Sequence, residues 1–376
     1  MTNKERICRQ LAGERVDRVP MLGGWNEGMR VVCRIAGLTA EQYLADPLAG
    51  VVRCNQALGV DGMMPPVVPK DLAEIRSGSL QESRFEAVGP EALKERADAI
   101  PATEAQVLAA FDEAAAEQAM RQHFEQFQTA FGGIVQIPNF WNVPTDFSLY
   151  FQFGYVAFLS AVAMYPESVG RIYWEESIRA RRRNEMLANL IRRYDLPPVV
   201  FTGSDICSQQ GPMCSPGFLR EHYWPAVKRA LGPLTAASVR VVAHCDGNVM
   251  PLIDDMIEAG FSGFQGFQFE CGVDPYDIRR RTSPWGDPLL FFTGMSVTRT
   301  LPFGSTRDVE RDIDYCLDLT DGGRGLFLFS SNVTGVETPP ENIVAAYRYL
   351  ASYDPATGRV NRPAYRTWPW AENHPL

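Results

Sequence analysis

Eight short runs rich in β-branched and aromatic residues recur along the chain, each ending near a cluster of Gly, Asn, Asp, Ser or His. They span residues 18–22, 59–64, 133–137, 198–202, 238–243, 263–267, 289–293 and 325–329, and most are followed by an amphipathic stretch of helical length. Runs of this kind read as strands, and strands that alternate with helices build parallel sheets, because a parallel return needs a long crossover. The pattern therefore predicts an α/β protein, and eight such units predict a (β/α)8 barrel occupying residues 1–376 as one domain. A doubly wound open sheet is the competing architecture. Against it, no Gly-x-Gly-x-x-Gly opens a helix after an early strand, and no phosphate-cradling Gly-Lys-Ser/Thr loop occurs.

Several segments carry more than the minimal pattern. Residues 4–11 read as a first helix closed by Gly13. Residues 70–131 are too many for a plain crossover between strands two and three, and read as a helical excursion over the barrel mouth. Within them the Ala- and Glu-rich stretch 104–125 is a good helix former, with Pro101-Ala102-Thr103 as its start signal. Residues 158–194 read as two helices broken at Tyr165-Pro166, the second carrying Arg179, Arg181, Arg182 and Arg183 on either a solvated face or an anion site. The tail 354–376 places prolines among Tyr365, Trp368 and Trp370, a content that suits wrapping around the barrel or a partner subunit, so a homodimer is a candidate assembly.

The charge balance narrows the function. With 36 Lys+Arg against 45 Asp+Glu the net charge is −9, which excludes a polybasic nucleic-acid binder. No apolar run approaches the roughly 20 residues needed to cross a bilayer, so no membrane association is expected. The charged start Met1-Thr2-Asn3-Lys4-Glu5-Arg6 is unlike a signal core and predicts a cytoplasmic location. The eight cysteines are then expected to be reduced, serving as buried fillers, nucleophiles or metal ligands. Only four histidines, His123, His222, His244 and His374, are available to an imidazole-dependent site.

In a barrel of this type the chemistry sits at the C-terminal ends of the strands. Strand one is followed by Trp25-Asn26, strand three by Asn139-Phe140-Trp141, strand four by Asp205-Ile206-Cys207 and strand five by His244-Cys245-Asp246. Strand six leads to Glu270-Cys271, strand seven to Met295 and strand eight to Asn332. Side-chain alternation aims His244 and Asp246 the same way, with Cys245 opposite. Glu270 and Cys271 arrive on the neighbouring rim. An imidazole, a thiol and a carboxylate there match the ligand preferences of Zn²⁺, which keeps one position open at a catalytic site. His244 and Cys271 are the expected metal ligands, completed by Glu270, Asp246 or Asp205, with Asp246, Asp205 and Glu270 as candidate acid–base groups. Each has a plainer reading, as a packed thiol for Cys271, a hydrogen-bonded structural imidazole for His244 and a loop-capping carboxylate for Asp205. Trp25, Asn26, Asn139, Trp141, Met295 and Asn332 would line the substrate pocket, an apolar mouth with few polar groups.

Beyond these local readings, the opening Thr2-Asn3-Lys4-Glu5-Arg6, the stretch from Gly13 to Pro20 and Asp205-Ile206 with Gly211-Pro212 resemble the uroporphyrinogen decarboxylase family. So do Ser215-Pro216-Gly217-Phe218, His244-Cys245-Asp246-Gly247-Asn248, Gly272-Val273-Asp274-Pro275 and Thr338-Pro339-Pro340-Glu341-Asn342, in order along nearly the whole chain. The resemblance implies a (β/α)8 barrel and one of two chemistries, cofactor-free decarboxylation of porphyrinogens or zinc-assisted methyl transfer to or from a corrinoid protein. The decarboxylase branch has an arginine-bearing stretch after strand one where this chain reads Leu22-Gly23-Gly24-Trp25-Asn26, and a catalytic aspartate after strand two where it reads Met63-Met64-Pro65-Pro66. Without those cations, a polyanionic tetrapyrrole would have to desolvate unpaired carboxylates. The methyltransferase branch places zinc on a His-x-Cys after strand five and a Cys after strand eight. Here His244 matches the first ligand, while Asp246 and Asn332 stand in the other two places.

The expectation is thus a zinc-assisted methyltransferase moving a methyl group between a small methoxylated aromatic or thiol substrate and a corrinoid (cobalamin) carrier protein. A metal-independent lyase acting on a non-porphyrin carboxylate and a non-catalytic binding protein are the alternatives.

Overall fold

The structure, a computed structural model, describes residues 1–26, 28–68, 88–140, 143–144, 149–357 and 367–373. Its principal strands are β1 Leu22–Gly23, β2 Gly62–Met63, β3 Val135–Gln136, β4 Val199–Gly203, β5 Arg240–His244, β6 Gly263–Gln265, β7 Leu290–Met295 and β8 Leu326–Ser330. Each falls on or at the end of one of the eight expected runs. They pair as two parallel sheets, β1-β2-β3 and β8-β7-β6-β5-β4, with helices in every crossover, which makes the fold mixed α/β. A short antiparallel pair, Cys207–Ser208 with Gly211–Pro212, follows β4. Among the described residues, no helix is long and apolar enough to cross a membrane.

The strands are apolar on both faces because both faces are covered. Alternation divides them into two cores. Leu22, Met64, Ile137, Val199, Phe201, Val242, Leu290, Phe292, Phe327 and Phe329 form an inner cluster to which both sheets contribute, plugged by Ile7 and Leu11 of the first helix, Asn3–Leu11. Their alternates, including Val200, Val241, Ala243, Phe264, Phe291 and Leu328, pack outward against the helices.

The N-terminal motif serves this architecture at the opposite end from the site. Asp61, fully buried just before β2, accepts from Arg6, from Arg18 Nη1 at 2.7 Å and Nη2 at 2.9 Å, and from the Met21 backbone N–H at 2.9 Å. Arg6 also grips Asp17 through Nε at 2.6 Å and Nη2 at 2.8 Å, which holds the Asp17 carboxyl well below its usual range. One buried carboxylate thus ties the first helix to the starts of β1 and β2.

Helix boundaries follow their capping residues. The stretch expected as one helix over 104–125 is two, Glu104–Ala109 and Glu113–Phe131, because Thr103 forms a capping box with Gln106 and Asp112 starts a second helix by capping Ala115. The break at Tyr165-Pro166 separates Tyr155–Met164 from Pro166–Arg193. Three of the four arginines singled out on that second helix are in ion pairs: Arg181 with Glu104 at 2.5 Å, Arg182 with Glu113 at 2.7 Å and Arg179 with Glu175 of its own helix at 2.7 Å, while Arg183 lies over the Phe111 ring. The pairs of Arg181 and Arg182 fasten helices from the long excursion to the outer helical layer. Residues 69–87, on which an expected cover of the mouth also depends, lie outside the described residues.

The tail closes onto its own chain. Trp368 packs against Phe269 with ring centroids 5.1 Å apart and planes tilted by 34°, and donates its indole N–H to Asp312 Oδ1 at 3.0 Å. Burial pushes the Asp312 carboxyl up to about 7.

Two outcomes are expected. Asp61→Ala takes the shared carboxylate from the buried Arg6, which keeps Asp17, and from the half-buried Arg18, and should lower unfolding stability by roughly 3 kcal/mol in denaturant titrations. Asp312 holds its proton in the folded state up to about pH 7 and in the unfolded chain only to about pH 4. Stability should therefore fall as pH rises between those values. Asp312→Asn keeps an acceptor for Trp368 without the charge. It should add roughly 2 kcal/mol at pH 8 and nothing at pH 4, and a loss of stability at pH 8 would contradict this account.

Candidate functional site

The site begins with one hydrogen-bonded row across three strands. In register, Gly203 of β4 pairs with His244 of β5, and His244 pairs with Gln265 of β6. All three sit on the inner face at the C-terminal end. Gly203 has φ +148°, and a Cβ there would lie 2.1 Å from the His244 carbonyl oxygen. Only glycine lets β4 approach so closely, and the chain then turns to bring Asp205 over the imidazole.

His244 is 7% exposed and framed by aromatic rings. Trp25 and Phe140 stand edge-to-face to it at 5.4 Å and 5.8 Å, and Phe201 lies 6.0 Å away. Its Nδ1 is 2.6 Å from Gln265 Oε1. Its Nε2 faces two carboxylates, Asp205 Oδ1 at 3.5 Å and Asp246 Oδ1 at 3.9 Å. The three donor atoms lie within 4.8 Å of one another.

Each carboxylate is held from behind. Asp205 Oδ1 accepts the Asp246 backbone N–H at 2.9 Å, and Asn332 Nδ2 donates to Asp246 Oδ2 at 2.7 Å. Gly247, at φ +83°, carries the chain under the β4 hairpin, where a Cβ would lie 2.4 Å from the Ser208 carbonyl oxygen. Among the described residues, Asp246 Oδ1 is buried with no hydrogen-bond partner. Burial pushes the Asp246 carboxyl up to about 6, with Asp205 and Glu270 adding to the rise and His244 and Asn332 opposing it. An imidazole nitrogen and two carboxylate oxygens aimed at one point, one of them orphaned, suit a divalent cation such as Zn²⁺, which accepts N and O donors and needs three protein ligands at a catalytic site. The donor set fits a metal.

It overlaps the expected set in part. The structure brings His244, Asp205 and Asp246 together, whereas Cys271 and Glu270 stand outside the trio. Cys271 ends a tight turn, Phe269–Cys271, and its thiol lies 3.5 Å from Gln268 Oε1, an oxygen that also accepts the Gly247 N–H at 2.7 Å. Burial, with the charges of Glu270 and Asp246, raises its pKa, so the thiol keeps its proton. Glu270 accepts from Thr298 Oγ1 at 2.5 Å. Cys245 points away from the site, as alternation requires; its interaction with Cys207, followed by burial, raises its pKa strongly.

The expected pocket residues separate similarly. Trp25 and Asn332 are in the site. Asn26 is buried beside it, with Nδ2 3.5 Å from the Tyr347 hydroxyl, and Asn139 donates to the Pro65 carbonyl at 3.1 Å. Met295 packs in the outer core instead, because it falls on the outward phase of its strand, and Phe267, beyond the end of β6 and past Gly266 at φ +85°, packs there too. Trp141 lies outside the described residues. Gln265 was missed by sequence reading. Its signal was available as the lone polar side chain in the apolar run 263–267.

No family model and no curated protein matches the chain. Among solved structures it is similar to a methyltransferase from Methanosarcina mazei, with TM-score 0.60 and 16% identity over 94% of this chain and 99% of that one. At that identity the likeness is one of fold.

Cys271→Ala is expected to leave a metal held by Asp205, His244 and Asp246 in place, with unchanged stoichiometry by mass spectrometric metal analysis. Loss of metal in that variant would restore the thiol to the ligand set.

Proposed function

We propose that this chain is a metal-assisted methyltransferase, and that its eight strands close as a (β/α)8 barrel with the site at the mouth. Two links between the sheets support closure. Met21 bridges in parallel to Leu328, joining the start of β1 to β8, and Phe201 N–H donates to the Pro138 carbonyl at 2.9 Å, joining β3 to β4. The inner core shared by both sheets supports it too.

The observation that carries the functional reading is the convergence of His244 Nε2, Asp205 Oδ1 and Asp246 Oδ1 at the strand ends. These residues would hold one divalent ion, zinc being the best match to the donors. When bound, such an ion supplies Lewis acidity that lowers a thiol's pKa or polarises an ether oxygen so that it can leave. Asn332 fixes Asp246 in its ligating pose. Trp25 and Phe140 offer apolar ring surface that excludes water and suits a small methoxylated aromatic or thiol substrate. Glu270, steadied by Thr298, is the rim carboxylate nearest in role to a proton acceptor. The likeness in fold to a methyltransferase supports methyl transfer as the reaction, with a corrinoid on a separate carrier protein as the proposed second partner.

Purified protein should carry about one divalent ion per chain. His244→Ala, and Asp205→Asn with Asp246→Asn, should lose it, with methyl transfer to cob(I)alamin falling at least about 100-fold. Full transfer by metal-free protein, or metal-independent release of carbon dioxide from a carboxylate substrate, would overturn the proposal in favour of a lyase.

A further inference from the structure

Gln265 is 3% exposed, and both ends of its amide are engaged. Its Nε2 donates to the Ser330 carbonyl at 2.5 Å and its Oε1 meets His244 Nδ1 at 2.6 Å. The Ser330 carbonyl can only accept a hydrogen bond, so the amide must turn its NH₂ toward β8. A flipped amide would set oxygen against oxygen there and nitrogen against the imidazole. With the NH₂ committed, Oε1 is the atom left for His244, and it too can only accept. The proton of the neutral ring therefore sits on Nδ1, and the lone pair of Nε2 points at Asp205 and Asp246.

We propose that Gln265 is a positioning residue that transmits the polarity of the Ser330 carbonyl to the His244 ring and so fixes Nε2 as a cation-ligating lone pair. The inference rests on the metal reading for its purpose, while the tautomer itself follows from the hydrogen bonds alone. With that tautomer the Nε2 lone pair faces carboxylate oxygens at 3.5 Å and 3.9 Å, an arrangement stabilised by a positive ion. Register makes the device rigid: Gln265 is the direct β6 partner of His244, so a one-residue slip in either strand would carry the amide to the outer face. The same geometry explains a polar residue inside an otherwise apolar strand. It is satisfied at both ends by groups that belong to the site wall.

The test uses the full chain labelled with ¹⁵N-histidine, stripped of metal with a chelator, and long-range ¹⁵N–¹H correlation spectra at pH 8. The His244 signals are identified by their loss in His244→Asn. Wild type should show His244 protonated on Nδ1 with Nε2 bare. Gln265→Leu should show a mixed or reversed tautomer, and its zinc affinity, measured by competition with a chromophoric chelator, should fall about 10–100-fold. If Gln265→Leu misfolds, the wild-type spectrum still decides. A wild-type ring with its proton on Nε2, or on both nitrogens, overturns the assignment of Gln265 whatever the metal content. A ring bare at Nε2 in a chain that binds no zinc upholds the relay and overturns the metal reading instead.

Discussion

Everything at the site depends on the register of β4, β5 and β6. Because Gly203, His244 and Gln265 form one hydrogen-bonded row on the inner face, the imidazole has a glycine on one side and an amide on the other. The glycine admits the β4 turn that delivers Asp205. The amide orients the ring. Asp246, two residues beyond His244, returns to the same side, and Asn332 reaches in from beyond β8 to hold it. The site therefore draws on four strand ends while resting on one ladder, which gives preorganisation without a long loop.

The two ends of the strands carry different burdens. At the N-terminal end, the opening motif is consumed by the Arg6–Asp17–Arg18–Asp61 network, which is structural. Ion pairs between the excursion helices and Pro166–Arg193 likewise account for Arg181 and Arg182, two of the arginines that could have marked an anion site. With those cations spoken for, and no arginine in the stretch from Leu22 to Asn26, the acidic chain offers little to a polyanionic ligand at the mouth.

The strands were legible because each is a short apolar run closed by turn residues, and the eight positions needed only small shifts. The helix over 104–125 was misread as continuous because Thr103 and Asp112 act as caps within a good helix-forming stretch, a local competition that propensity alone does not resolve. In the site, alternation correctly paired His244 with Asp246 and turned Cys245 away. The structure groups Asp205 rather than Cys271 with His244 for a definite reason. Both follow strands adjacent to β5, but how far a loop residue swings depends on the turn. Gly203 folds Asp205 inward, while the tight turn at Phe269–Cys271 points the thiol at Gln268. Met295 failed more simply, by phase along β7.

The central claim is that the bare Nε2 of His244 and the carboxylates of Asp205 and Asp246 form a cation site. Crystals grown with zinc and measured on both sides of its absorption edge test it most directly. The account predicts one strong anomalous peak within bonding distance of His244 Nε2, Asp205 and Asp246, with Cys271 still turned to Gln268. A peak on Cys271 that leaves Asp205 uncoordinated, or no peak in the trio at saturating zinc, would contradict it.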